Sequence, residues 1–140
     1  MPSKDAKEDP KKGTPPVQVE SLTKSFGKQV VLKGISLEVG QGETLSVLGR
    51  SGTGKSVLLK LIIGLHRPDS GSIRVDGEDV TKLTLKELNK VRKKVGFLFQ
   101  QAALYDSLTI EENVGFPLRR HSSMSDEESR KRIRELLANV

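Results

Sequence analysis

The sequence predicts an α/β domain, with a mostly parallel sheet around residues 44–48 and a small antiparallel sheet over residues 17–39. Three observations lead there. Short apolar runs linked by turn residues fill residues 17–39. The run at residues 44–48 is flanked by Gly42 and Gly49, as expected for a strand buried on both faces. After it, strand-like and helix-like segments alternate to the end of the chain.

The elements follow in order. Residues 1–16, rich in Lys, Asp, Pro and Gly, have little to bury and read as a disordered tail. Val17, Val19 and Leu22 open a strand, and two further short strands are expected at residues 30–32 and 35–39, on either side of Gly34. Residues 55–65 carry Val57, Leu58, Leu59, Leu61, Ile62, Ile63 and Leu65, so this helix is apolar nearly all round and should be deeply buried. A turn at residues 68–71 precedes alternation at Ile73 and Val75, and a second turn falls at Asp76-Gly77. Thr84 with Glu87, Thr109 with Glu112 and Ser125 with Glu128 each have capping-box spacing and open three helices. Residues 95–99 read as another buried strand. The last helix, with Ile133, Leu136, Leu137 and Val140 at helical spacing, reaches the chain end without a stop signal, so the sequence is expected to be cut at Val140.

Composition excludes several classes. The 140 residues contain no Cys, which removes disulfide scaffolds, thiolate zinc sites and a cysteine nucleophile. His66 and His121 have no ligand-like spacing around them. The apolar stretch at residues 57–65 is broken by Lys60 and Gly64 and falls short of the roughly 20 residues a spanning helix needs. The N-terminus has charges of both signs and no apolar centre, unlike a secretory signal. The chain therefore reads as cytosolic, free or attached through a partner. The net charge of +6 invites a nucleic-acid partner, but the excess concentrates in Lys82, Lys86, Lys90, Arg92, Lys93 and Lys94, beside the single acid Glu87. A solvated helix face explains that stretch, and no specific nucleic-acid partner is expected.

One motif carries chemistry. Gly49, Arg50, Ser51, Gly52, Thr53, Gly54, Lys55 and Ser56 match G-x-x-x-x-G-K-[ST] in full, between an expected strand and an expected helix. The glycines permit a tight wrap that turns successive N–H groups toward phosphate oxygens. The mouth of the following helix, through Val57, adds its dipole. Lys55 reaches the outer phosphates, and the Ser56 hydroxyl suits a magnesium ion that keeps most of its waters. No G-x-G-x-x-G can be read across this loop, which disfavours a dinucleotide fold.

With this loop in place, LTKSFGKQVVLKGISLEVGQGETLSVLGRSGTGKSVLLKLIIGLHRPDSGSIRVDGEDV resembles the first half of an ABC-transporter ATPase. The resemblance runs over residues 17–140, read as a partial nucleotide-binding domain. It includes VGFLFQQAALYDSLTIEENV, similar to the family's Q-loop region. SVLLKLIIGL and FLFQQAALYDSLTIEENVGFPLRRH look most like the Mla-type ATPases of bacteria, which serve phospholipid trafficking and organic-solvent resistance.

The resemblance implies a P-loop NTPase (RecA-like) core with an N-terminal antiparallel β-subdomain, stopping before the signature motif and Walker B. It implies ATP and Mg2+ as cofactors. Phe26 aligns with the aromatic that stacks on adenine, where Tyr is commoner. Gln100 aligns with the Q-loop glutamine, which approaches the magnesium together with Ser56. Residues 102–106, with Leu104 and Tyr105, would line the groove for a permease's coupling helix. The partners implied are an integral-membrane permease and a second ATPase subunit, with the protein peripheral on the cytoplasmic face of the bacterial inner membrane.

No catalytic residue is expected within these residues. None of Glu111, Glu112, Asp126 and Glu127 follows the apolar strand that Walker B requires, and neither His is placed as the switch. Phosphoryl transfer needs a group to orient the attacking water, so these 140 residues alone are not expected to hydrolyse ATP. The competing reading is a non-transport ABC ATPase acting on nucleic acid or ribosomes, supported by the positive charge alone.

Overall fold

In a computed structural model the described residues are 13–100 and 103–140. They form two compact units, the first ending at Gly96 and the second running from Phe97 to Val140. Most of the expected N-terminal tail, residues 1–12, lies outside the described residues, as do Gln101 and Ala102.

The first unit is built on a four-stranded sheet of order β2-β1-β3-β4, from β1 (Val17–Phe26), β2 (Gln29–Val39), β3 (Ser70–Val75) and β4 (Glu78–Asp79). Every neighbouring pair is antiparallel. β1 and β2 form a hairpin that closes at Phe26 opposite Gln29, with Gly27 at φ +58° in the turn. β3 and β4 turn through Asp76 and Gly77, both at positive φ, at the dipeptide expected to turn. The β1–β2 register shifts around Ser21, whose N–H leaves the ladder and donates to Ser36 Oγ at 2.8 Å. Gly71 is required beside this bulge. A Cβ there would lie 2.6 Å from Ser21 O, and its φ is +90°.

Helices α1 (Lys55–Ile62) and α2 (Leu85–Arg92) complete the core. Val19, Leu22, Leu32, Ile73 and Val75 from the sheet pack with Leu58 and Leu61 of α1 and Leu88 and Val91 of α2. Gly64 lets α1 end against α2: a Cβ there would meet Leu88 Cδ2 at 2.7 Å. Arg92 then caps the end of α1, its Nε donating to Ile63 O at 3.0 Å and Nη2 to Gly64 O at 2.9 Å. Arg92 therefore leaves the solvated basic face on which its sequence position put it. Lys82 pairs with Asp79, and Lys94 with Glu78, so part of that stretch's charge is met locally.

The second unit holds α3 (Ile110–His121) and α4 (Asp126–Ala138). All three expected capping boxes form, at Thr84, Thr109 and Ser125. α3 approaches α4 closely at Gly115, where a Cβ would sit 2.9 Å from Ile133 Cδ1. Ile133 is the buried residue of α4.

Three expectations differ from the structure. Residues 30–32 and 35–39 are one strand rather than two, because Gly34 at φ +72° bends β2 without ending its pairing. Residues 44–48 and 95–99 are in no ladder, so all pairing among the described residues is antiparallel. A strand buried on both faces needs a neighbour on each edge, and no described strand pairs with either segment. Leu48 is accordingly 92% exposed and Leu98 88%. α1 is also buried on one side only. Leu58 and Leu61 meet the sheet, whereas Leu59 is 48% exposed; the helix expected to reach residue 65 ends at Ile62, and Leu65 beyond it is 45% exposed.

Candidate functional site

Residues 49–54 pass from an irregular segment into a tight loop that ends at the mouth of α1. Two glycines make the wrap possible, Gly52 at φ +80° and Gly54 at φ +95°. Gly54 is also a steric requirement: a Cβ would fall 2.8 Å from Val31 Cγ1 and 2.9 Å from Leu32 Cδ2. The loop is thus seated against β2, and its curvature is fixed by contact as well as by dihedral preference.

Lys55 curls back over the loop, its Nζ donating to Gly49 O at 2.6 Å and Arg50 O at 2.7 Å. Thr53 Oγ1 donates to Arg50 O as well, at 2.9 Å. The carbonyls that would repel an anion are therefore held by donors. The N-cap Gly54 offers no side-chain acceptor to the first turn of α1, and that turn has no acidic residue. An ammonium beside the positive end of a helix dipole, at an uncapped N-terminus, is unfavourable on its own and favourable with an anion present. Ser56 is exposed and Val57 half-buried at this same mouth.

The remaining expected residues are placed as follows. Phe26 ends β1 beside the hairpin turn and is 44% exposed. Gln100 is exposed and belongs to the second unit, just after Phe97 and Phe99, whose ring centroids are 4.5 Å apart. Leu104 and Tyr105 are exposed, and the Tyr105 ring lies 5.1 Å from that of Phe116. Their loop is pinned by Asn113, whose Oδ1 accepts from Tyr105 N–H at 2.8 Å and whose Nδ2 donates to Tyr105 O at 3.0 Å.

Sequence reasoning missed the surroundings of Phe26. Lys24 Nζ lies over the Phe26 ring, 5.3 Å from its centroid, and the His66 ring meets it at 77° with 5.5 Å between centroids. Asp69 ties this cluster together: Oδ1 accepts from Lys24 Nζ at 3.0 Å and Oδ2 from Ser25 N–H at 2.6 Å. Those two donors, the Lys24 ammonium first, hold the Asp69 carboxyl below its ordinary range. The partners are 44 and 45 residues apart in sequence, and only the strand pairing brings them together.

The family model described as ABC transporter matches residues 32–140. The chain belongs to the ABC transporter family. Among its curated relatives, the probable ribonucleotide transport ATP-binding protein mkl of Mycobacterium leprae is 44% identical over 124 residues, which is 89% of this chain and 36% of the relative. The methionine import ATP-binding protein MetN of Rhizobium johnstonii is 42% identical over 124 residues, 89% of this chain and 34% of the relative. The chain thus spans about a third of the length of these ABC relatives. Among solved structures, the ADP- and Pi-bound dimer of the ATP-binding cassette MJ0796 matches with a TM-score of 0.78 at 39% identity, covering 87% of this chain and 56% of that one. The cbiO1 protein of Clostridium perfringens, part of the cbiONQ complex, matches with a TM-score of 0.74 at 29% identity, covering 89% and 49%. The α/β P-loop fold expected from the sequence is the fold of these ABC neighbours. No helix among the described residues is long and apolar enough to cross a membrane.

Proposed function

We propose that Gly49, Arg50, Ser51, Gly52, Thr53, Gly54, Lys55, Ser56 and Val57 hold the phosphates of ATP, and that the complete protein is the ATP-binding subunit of an ABC transporter. One observation carries the reading: a helix mouth with no side-chain cap, with the Lys55 ammonium folded over a glycine loop, gathers positive charge and N–H donors as an anion requires. The residues fit a nucleoside triphosphate with its divalent cation. Ser56 brings one hard oxygen to the ion, phosphate oxygens supply more, and no cluster of three His, Cys, Asp or Glu among the described residues competes for it.

Lys55 leaves the Gly49 and Arg50 carbonyls and donates to the outer phosphates, while the N–H groups at the start of α1 hold the inner ones. Phe26 offers its open side to the base. Bound Mg2+ would neutralise charge on the phosphates. The residues that orient water for hydrolysis lie outside these 140. In the complete protein, ATP binding and hydrolysis drive transmembrane transport through an integral-membrane permease, with a second ATPase subunit as partner, at the cytoplasmic face of the bacterial inner membrane. The names of the mkl and MetN relatives and the cbiONQ assembly support transport. For the cargo we read phospholipid, from the likeness of SVLLKLIIGL and FLFQQAALYDSLTIEENVGFPLRRH to the Mla-type proteins.

Calorimetric titration of Mg-ATP tests the site. Lys55→Ala should weaken binding about a hundredfold and Phe26→Ala about tenfold, because a charge-assisted contact in a partly enclosed site exceeds one stacked ring. Equal losses would contradict this order, and unchanged affinity in Lys55→Ala would remove the loop from the site.

A further inference from the structure

We propose that Asp69 is a positioning residue for nucleotide base recognition, acting through Lys24 and Ser25 to fix the ring of Phe26. The inference rests on the reading of Phe26 as the base platform and adds what holds that platform in place. A phenylalanine at a strand end has no hydroxyl through which the protein can orient it, and this one stands beside a turn with Gly27 at positive φ. Its orientation must come from neighbours.

Three are present. Asp69 accepts the Ser25 N–H at 2.6 Å and so fixes the backbone immediately before Phe26. It also holds Lys24 Nζ at 3.0 Å, and that ammonium lies 5.3 Å from the ring centroid. His66 meets the ring nearly at a right angle. Asp69 is itself anchored, since its N–H donates to Thr23 O at 3.0 Å, and the neighbouring Ser70 Oγ lies 2.6 Å from Thr23 Oγ1. The cluster therefore joins the turn before β3 to the last residues of β1. A cation near the ring also draws on its π-density, which favours stacking of an electron-rich purine on the open remainder.

A structural brace and a base-positioning device predict different ligand dependence. The full chain and its Asp69→Ala, Asp69→Asn, Lys24→Met and Phe26→Ala variants are titrated with Mg-ATP and, separately, with Mg-tripolyphosphate, which has the phosphates but no base. Asp69→Ala should weaken ATP about fivefold and leave tripolyphosphate unchanged. Lys24→Met should act in the same direction. Asp69→Asn, which keeps an acceptor for Ser25 N–H, should recover part of the loss. Equal weakening of both ligands by Asp69→Ala and Lys24→Met would make Asp69 a structural brace and overturn the inference. So would an unchanged ratio of the two affinities in both variants while Phe26→Ala lowers it. An unchanged ratio in Phe26→Ala would remove Phe26 as the base platform, and this inference with it.

Discussion

Gly54 shows how one residue can be dictated twice. Its φ of +95° suits glycine, and the 2.8 Å that would separate a Cβ from Val31 leaves no room for a side chain. The first demand was legible in the motif, whereas the second depends on β2 folding over the loop. Leu104 and Tyr105 are the other residues whose role can be isolated. Both are exposed on a loop fixed through Asn113 rather than by their own burial, so changing them should spare the rest. Leu104→Asp should leave Mg-ATP affinity within about twofold of wild type while uncoupling transport in the complete protein. Transport by a reconstituted permease complex, measured beside nucleotide binding, checks this. Loss of ATP binding as severe as in Lys55→Ala would show that the loop belongs to the core.

At the scale of elements, one side chain adds a polar link to the apolar packing between α1 and α2. Arg92 satisfies the Ile63 and Gly64 carbonyls just past the end of α1, and cutting it back leaves them partly buried without donors. Arg92→Ala should cost about 1–3 kcal/mol in urea unfolding, and Arg92→Lys should recover only part of this, because an ammonium lacks the planar fork that aims Nε and Nη2 at the two carbonyls together. The capping boxes predict a pH dependence. Glu112 is held below its usual range by the Thr109 N–H and then the Thr109 hydroxyl, and Glu87 and Glu128 are lowered by their own caps. A lowered folded pKa means that the unfolded chain binds the proton more readily. The stabilisation is therefore present above the unfolded value of about 4.3 and is lost as pH falls through the lower folded value. The stability gap between wild type and Glu112→Gln should be steady from pH 7 to pH 5 and shrink below about pH 4. A gap that widens on acidification would contradict the assignment.

The capping signals were legible because they are local: three residues of spacing fix both partners. The turn at Asp76-Gly77 was legible for the same reason, although strand β4 beyond it and the turn at Gly27 were not read. Pairing across the chain was not. Leu59 reached the expected helix but not the expected burial, while Leu65 and residues 44–48 reached neither the expected element nor the expected burial, because apolar character was read as burial. Apolar character records what a segment can bury, and burial needs a second surface, which no described residue supplies. Similarly, Arg92 read as solvent-facing because its two carbonyl partners lie 28 and 29 residues away. The glycine loop before α1 was legible as a loop, since all its parts lie within nine residues, whereas the cluster around Phe26 spans the β1–β3 pairing.

For the whole molecule, the central claim is that an α/β P-loop domain of the ABC family presents one anion site, the mouth of α1. Amide hydrogen exchange, followed with and without Mg-ATP, addresses that claim most directly. The first-turn N–H groups of α1 have no intrahelical acceptor, so they exchange freely until a ligand takes them. On addition of Mg-ATP, residues 49–57 should become the most strongly protected segment, residues 24–26 should follow, and Lys55→Ala should abolish both changes. Protection that appears elsewhere and leaves residues 49–57 exchanging as before would show that ATP binds at a different place.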